Sequence, residues 1–219
     1  MFEEKDYLMK MVKEFTAAIS RIAGLKDEKN VEESQEVLNE TLKSFTDLDI
    51  KVIEALPYDI LIHKISGNTI NSEKHLMLSE LLTYQADIYD LKGETLRAKN
   101  LYRKNLNMML NVLVEQNNPI AEQHNNKIDE LLEKIGWFNL PKESKVLLFQ
   151  YYELIQNYGK AEDVLFNLLK TDKQNDAVLR QGIAFYERLT KKDPAELLEG
   201  NLPMDEVFEG LETLKKYKK

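Results

Sequence analysis

Apolar residues recur along this chain at spacings of three and four, and no stretch sustains a period-2 alternation. That pattern predicts an all-α protein. The first stripe is Leu8, Val12, Phe15, Ile19 and Ile22, widened by Met11 and Ala18. It predicts a helix over Lys5–Ala23, closed by Gly24. Leu38, Leu42, Phe45, Leu48, Val52 and Leu56 form the face of a second helix over Val31–Leu56, and Pro57 stops it or begins the next. The apolar stretch YDILIHKI gives a short third helix, ended by Ser66-Gly67-Asn68. Ser72 caps a helix running to Lys92, before Gly93, and the next runs from Glu94 to about Gln116. After the turn Asn117-Asn118-Pro119, a polar helix over 120–135 carries Ile128, Leu131, Leu132 and Ile135. WFNLP then forms a connector with buried anchors. The remaining helices fall at 142–158, 160–171, 176–190, 194–199 and 204–217, with Asp172, Asp176 and Asp193 at N-cap positions. Residues 1–67 thus read as an N-terminal helical hairpin with a connector, and 72–219 as packed helix pairs. Without a low-complexity linker, 1–219 reads as a single helical domain.

The helices repeat. Tyr89 is followed nine residues later by Ala98, Tyr152 by Ala161, and Tyr186 by Ala195. The second and third pairs lie one 34-residue period apart, whereas an irregular insertion separates the first from the second. In each copy the aromatic side chain fills the space between two helices, and the alanine lets them approach. Ala86 is the small residue three before Tyr89; Phe149 and Ile183 stand at that place in the other copies. Gly93 and Tyr158-Gly159 mark the turns.

This arrangement resembles the tetratricopeptide repeat over roughly residues 79–207, with 113–141 outside it. Tyr89, Tyr152 and Tyr186 match the aromatic position of the first helix. Ala98, Ala161 and Ala195 match the alanine of the second helix, Tyr102 and Leu165 the large residue one turn later, and Gly182 the glycine before the small residue. The first-helix tryptophan is absent, the first two copies lack the closing proline, and the third has a short second helix starting at Pro194. The whole chain is also similar to small uncharacterised bacterial proteins of helical-repeat design, a likeness that supplies no activity. The resemblance implies antiparallel helix pairs stacked as an α-solenoid. It also implies a concave surface bearing Glu80, Thr83, Asp87 and Asp90 from the first copy, and Glu143, Gln150 and Glu153 from the second. Relatives of this kind clamp terminal carboxylates with Lys and Asn there. The acidic residues here fit a basic peptide instead, or they form a solvated face.

Charge supports that direction. The net charge is −8, which argues against nucleic acid or an anionic membrane surface as partner. The lysines at 215, 216, 218 and 219 suit a helix C-terminus. The chain has no cysteine, so disulfides and thiolate chemistry are excluded. The acidic start MFEEKDYLMKM does not read as a signal peptide, and no apolar stretch reaches membrane-span length, so a cytoplasmic protein is expected.

Catalytic signatures are weak. His63, His75 and His124 share no metal-ligand spacing. The pairs Glu3-Glu4, Glu32-Glu33, Asp47-Asp49 and Glu130-Glu133 sit on polar faces. Residues 172–176 lack the glycine and the final glutamate of a calcium loop. Gly159-Lys160 follows a helix, has no upstream glycine and precedes Ala161, unlike a phosphate loop. The expectation is a non-enzymatic module without cofactor or metal that binds a protein or peptide. The alternatives are a structural homo-oligomer pairing through a tyrosine-rich apolar surface, or a small-molecule binder. The near-heptad first helix packs either in cis or as a dimer seam, so monomer and homodimer both stay open.

Overall fold

The computed structural model describes residues 2–28, 30–66, 72–115, 121–171 and 176–217. Twelve α-helices account for most of them, with no strand among the described residues. They are α1 (Phe2–Asp27), α2 (Val31–Thr46), α3 (Ile50–Ala55), α4 (Tyr58–Ser66), α5 (Ser72–Leu91), α6 (Thr95–Glu115), α7 (Asn125–Ile135), α8 (Lys142–Leu154), α9 (Tyr158–Thr171), α10 (Asp176–Leu189), α11 (Pro194–Glu199) and α12 (Met204–Tyr217). Short 3-10 turns cover Ala121–His124 and Trp137–Asn139. No helix among the described residues is long and apolar enough to cross a membrane. The expected stop at Gly67-Asn68, the turn at 117–119, the cap Asp172, and Lys218 and Lys219 lie outside the described residues, as does the side chain of Ser72.

The chain forms two compact units. The first comprises Met1–Val112 and Glu130–Ile135, the second Leu113–Asp129 and Gly136–Lys219. In the first unit, α1 packs on α2 and α5, α2 on α5 and α3, and α4 on α5. Its core includes Ile22, Leu38, Leu42, Ile53, Leu61, Leu78 and Leu82, all without exposed surface. Each such side chain contributes about 1.5–3 kcal/mol by leaving water. The Gln35 and Gln85 amides bond each other reciprocally, at 2.7 and 3.0 Å, and so join α2 to α5 without an orphaned group.

Several boundaries differ from expectation. The helix expected over Val31–Leu56 breaks after Thr46. Asp47 takes a left-handed conformation (φ 58°) and the Thr46 hydroxyl accepts the Leu48 N–H at 3.1 Å, so α3 starts afresh at Ile50. Val52 is consequently turned outward. Gly24 does not close α1, which continues to Asp27. In the WFNLP connector Leu140 is buried but Phe138 is exposed. Between α8 and α9 the turn falls at Ile155–Asn157, with Gln156 at φ 59°, rather than at Tyr158-Gly159. Gly159 instead lies in the first turn of α9, where another segment crowds it. Its N–H donates to the Gly200 carbonyl at 2.9 Å, and a Cβ there would stand 2.6 Å from the Asn201 carbonyl oxygen.

In the second unit α8 packs on α9, α10 on α9 and α12, and α11 on α12. Phe149 meets Phe185 edge-on, with ring centroids 5.3 Å apart. The third expected helix pair is rearranged. Asp193 does cap α11, accepting the Ala195 N–H at 2.8 Å, but α11 has six residues and Ala195 is exposed. A helix that short cannot cover α10. The close approach to Tyr186 comes from α12, where Gly210 lies under the tyrosine ring and a Cβ would stand 2.3 Å from Cζ.

Gly210→Ala is therefore expected to cost about 1–3 kcal/mol through overpacking. Gly24 has nothing within 4 Å of its would-be Cβ. Gly24→Ala should stabilise by about 0.5–1 kcal/mol, as in any exposed helix interior. Thermal melts of both variants check the opposite signs, at about 2–4 °C per kcal/mol for a chain of this size.

Candidate functional site

The segments around Tyr89 and Tyr152 share more than a tyrosine and an alanine. Four residues after Tyr89 the chain turns through positive φ at Gly93, and the Glu94 N–H returns to the Tyr89 carbonyl at 2.8 Å. Four residues after Tyr152 it does so at Gln156, and the Asn157 N–H returns to the Tyr152 carbonyl at 2.9 Å. This is the same left-handed helix stop in both copies. At the eighth position a cation lies over the ring: Arg97 stands 4.1 Å from the Tyr89 centroid and Lys160 5.3 Å from that of Tyr152. Ala98 and Ala161 follow, both fully buried, and one turn later come Tyr102 and Leu165, also fully buried. Each cation then meets a carboxylate of its own unit. Arg97 clasps Glu54 through Nε at 3.1 Å and Nη2 at 2.9 Å, and Lys160 reaches Asp129 at 3.2 Å. Burial, together with Glu54 beside its hydroxyl, pushes the Tyr89 pKa up. Burial and Asp129 do the same to Tyr152.

Asp87, expected on an open concave surface, is the centre of an internal cluster in the first unit. Its carboxylate accepts Lys26 Nζ from α1 and Lys134 Nζ from α7, both at 2.7 Å, and the Tyr102 hydroxyl from α6 at 2.5 Å. The Asp87 side chain is only 13% exposed, so it cannot also serve as a peptide-facing charge. Lys26 and Lys134 each lie 5.0 Å from a ring centroid, over Tyr84 and Tyr102 respectively. Burial alone would raise the Asp87 carboxyl. The hydrogen bonds from Lys134, Lys26 and Tyr102 outweigh it and hold the group below its ordinary value of 3.8. Burial, reinforced by Asp87, pushes the Tyr102 hydroxyl far up. It stays protonated and serves as a donor.

The other residues expected to line a groove are divided between the two units. In the first, Ala86 is fully buried, Glu80 is partly buried, Thr83 accepts Asn105 Nδ2 at 3.0 Å, and exposed Asp90 faces the Tyr102 hydroxyl at 3.3 Å. In the second, Glu143 is exposed in the first turn of α8 and Gln150 is partly buried. Glu153 is taken by Arg188 of α10, through Nε at 2.7 Å and Nη2 at 2.8 Å. Gly182 is buried against Leu165 and Leu214, and Tyr186 is fully buried with its hydroxyl on Glu162. Of the tyrosines in the expected repeat region, Tyr89, Tyr102, Tyr151, Tyr152, Tyr158 and Tyr186 are buried and Tyr84 is partly exposed.

Open acidic charge stands elsewhere, on α9 and α12. Burial pushes the Glu162 carboxyl up against its Tyr186 hydrogen bond, and the negative charges of Glu206 and Asp163 push it further. No ion pair among the described residues neutralises Asp163, Asp205, Glu206, Glu209 or Glu212. Asp205, Phe208 and Glu212 share one side of α12 by their i, i+3, i+7 spacing. Phe208 is 53% exposed in their midst. Its signal was in the sequence, because the helical pattern of 204–217 puts it on the polar face. Arg97 and Lys160 were legible as the residue before each repeat alanine. Lys26 and Lys134 lie 61 and 47 residues from Asp87 and left no local trace.

Among the histidines, His63 is exposed and buried His75 has Nε2 3.2 Å from the Ile62 carbonyl. Burial, with Lys127 nearby, lowers the His124 pKa. No group of three or more His, Asp or Glu able to hold a metal occurs among the described residues. Lys160, committed to Asp129 and the Tyr152 ring, is no phosphate-loop lysine.

The Asp87 cluster predicts an acid limb. Its folded pKa lies below that of the unfolded chain, so its stabilisation is complete above about pH 5 and is lost as pH falls through the folded value. Asp87→Asn should cost about 1.5–3 kcal/mol near neutrality, since it strips a charged acceptor from two part-buried lysines. The variant should also lose part of the decline in stability expected of the wild type at acid pH. Urea melts at pH 7 and pH 3 read both effects.

No curated protein and no solved structure matches this chain. A family model does match, along residues 1–219. The chain, whose described residues form twelve helices with tyrosine–carboxylate–cation contacts among several of them, thus belongs to DUF6483, a family of unknown function.

Proposed function

We propose that this chain is a non-catalytic, tetratricopeptide-like helical module that binds a protein or peptide, and that its partner is basic with an apolar side chain to offer. The solenoid-like reading is supported by the turn, cation and alanine shared by the Tyr89 and Tyr152 copies. The third copy departs from it at Ala195. The observation that carries the binding reading is Phe208, exposed among unneutralised Asp205, Glu209 and Glu212. Water gains nothing from an exposed phenyl ring, whereas an interface buries it at its centre and surrounds it with a polar rim. Fields from the same carboxylates speed the approach of a cationic partner. The reading keeps a basic partner and moves its site away from Asp87 and Glu153, whose carboxylates are already satisfied from within the fold.

A short amphipathic helical peptide of lysine and leucine serves as probe, with fluorescence anisotropy as readout. Phe208→Ala, or Glu209→Lys with Glu212→Lys, should weaken binding by about tenfold or more. Added salt should weaken the wild type as well. A control is available in α2, where exposed Glu32, Glu36 and Glu40 form an acidic stripe without an exposed apolar residue. Reversing those three should leave binding nearly unchanged. Equal losses from both reversals would reduce the effect to net charge and remove α12 as a site.

A further inference from the structure

The start of α8, within the second unit, gathers positive groups that no acid offsets. Pro141 stands at its N-cap and supplies no side-chain bond, and among the described residues no backbone carbonyl takes the N–H groups of Glu143 and Ser144. That end of a helix carries about half a positive charge. Ser144 is fully buried, and its hydroxyl has no hydrogen-bond partner. Lys145 is only 7% exposed, yet its ammonium makes one hydrogen bond, to the neutral Phe138 carbonyl at 2.9 Å. Phe138 precedes α8, so the lysine folds back past the helix start and adds its charge to the positive end of the dipole. Other part-buried lysines are held differently. Lys26 and Lys134 share Asp87, Lys192 takes Glu196, and Lys104 donates to the Ile53, Glu54 and Leu56 carbonyls at the end of α3. Burial lowers the Lys145 pKa, and no carboxylate acts to raise it. Glu143, the acid of the same turn, is exposed, and no partner among the described residues holds its side chain.

We propose that this helix start binds a phosphate group, free or at the end of a small ester, held by the Glu143 and Ser144 N–H groups, the Ser144 hydroxyl and the Lys145 ammonium. The proposal is independent of the α12 reading. An ammonium has three donors, of which the Phe138 carbonyl uses one. A phosphate brings three strong acceptor oxygens and a charge of about −1.5 to −2 near neutral pH, which one lysine and one helix N-terminus together come close to matching. Access is from the side of Phe138, which is 65% exposed and whose bond to Lys145 is only part-buried. Burying an ammonium without a counter-ion is costly, and a bound phosphate offsets that cost.

Thermal melts of the full chain in inorganic phosphate, against chloride at equal ionic strength, are the test. At tenfold over the dissociation constant, wild type should melt about 3–6 °C higher. Lys145→Met should lose that rise. Glu143→Gln removes the acid of that turn and keeps every proposed donor, so it should tighten phosphate by about threefold or more. An amide shift map of wild type gives a reading that needs no variant: phosphate should move residues 142–145. Phenyl phosphate identifies the source, since tighter binding than inorganic phosphate marks an ester and weaker binding the free ion. An equal rise in wild type and Lys145→Met reduces the effect to general salt stabilisation and overturns the site. Amides at 142–145 that stay unmoved in saturating phosphate overturn it as well.

Discussion

A buried tyrosine hydroxyl must find an acceptor, and that requirement organises this protein. Tyr102 takes Asp87, Tyr158 takes Glu196 at 2.8 Å, and Tyr186 takes Glu162. A carboxylate drawn inward in this way either finds a cation or, like Glu162, has its pKa pushed up. Lys26 and Lys134 compensate Asp87, and Lys192 compensates Glu196 while lying over the Tyr158 ring at 5.6 Å. The lysines thereby serve twice, as counter-ions and as apolar stems laid on aromatic faces. One such cluster joins α1, α5, α6 and the end of α7 at Asp87 within the first unit.

The same requirement decides which charges remain for an outside partner. With a net charge of −8, a chain whose strategically placed acids are satisfied internally still keeps a surplus. The surplus matters where it has no counter-ion and adjoins apolar surface. Glu162 registers that field, being held up by Glu206 and Asp163 despite its hydrogen bond from Tyr186. Among the described residues no cation lies over the Tyr186 ring, and the eighth residue after it is Pro194 rather than a cation. The Tyr186 segment therefore lacks the contacts that the Tyr89 and Tyr152 segments share, and it is also where Gly210 brings α12, with Phe208 exposed, against the tyrosine ring.

Local periodicity made most of the helices legible. The boundaries of α5, α6, α10, α11 and α12 fall within a residue or two of those read from apolar spacing and caps. What escaped was decided by single residues or by distant ones. Thr46 and Asp47 stop a helix that the apolar stripe alone would continue, through one side-chain acceptor and one left-handed residue. Gly159 looked like a turn glycine because nothing nearby in sequence announces the Asn201 carbonyl that crowds it. The expected groove residues were chosen by helix face. Asp87 and Glu153 do face outward from their own helices, but toward Lys134 and Arg188 of other helices rather than toward solvent. Face assignment reads one helix at a time and cannot foresee an ion pair between two.

The most direct test of this account is an amide chemical-shift map of the isotopically labelled chain titrated with the lysine–leucine peptide. The account predicts that the perturbed amides cluster at Asp163 and across 205–212, with those around Asp87 and Glu153 unmoved. Perturbations centred on 80–90 or 143–153 would contradict it, because they would place the partner on carboxylates that the fold itself already holds.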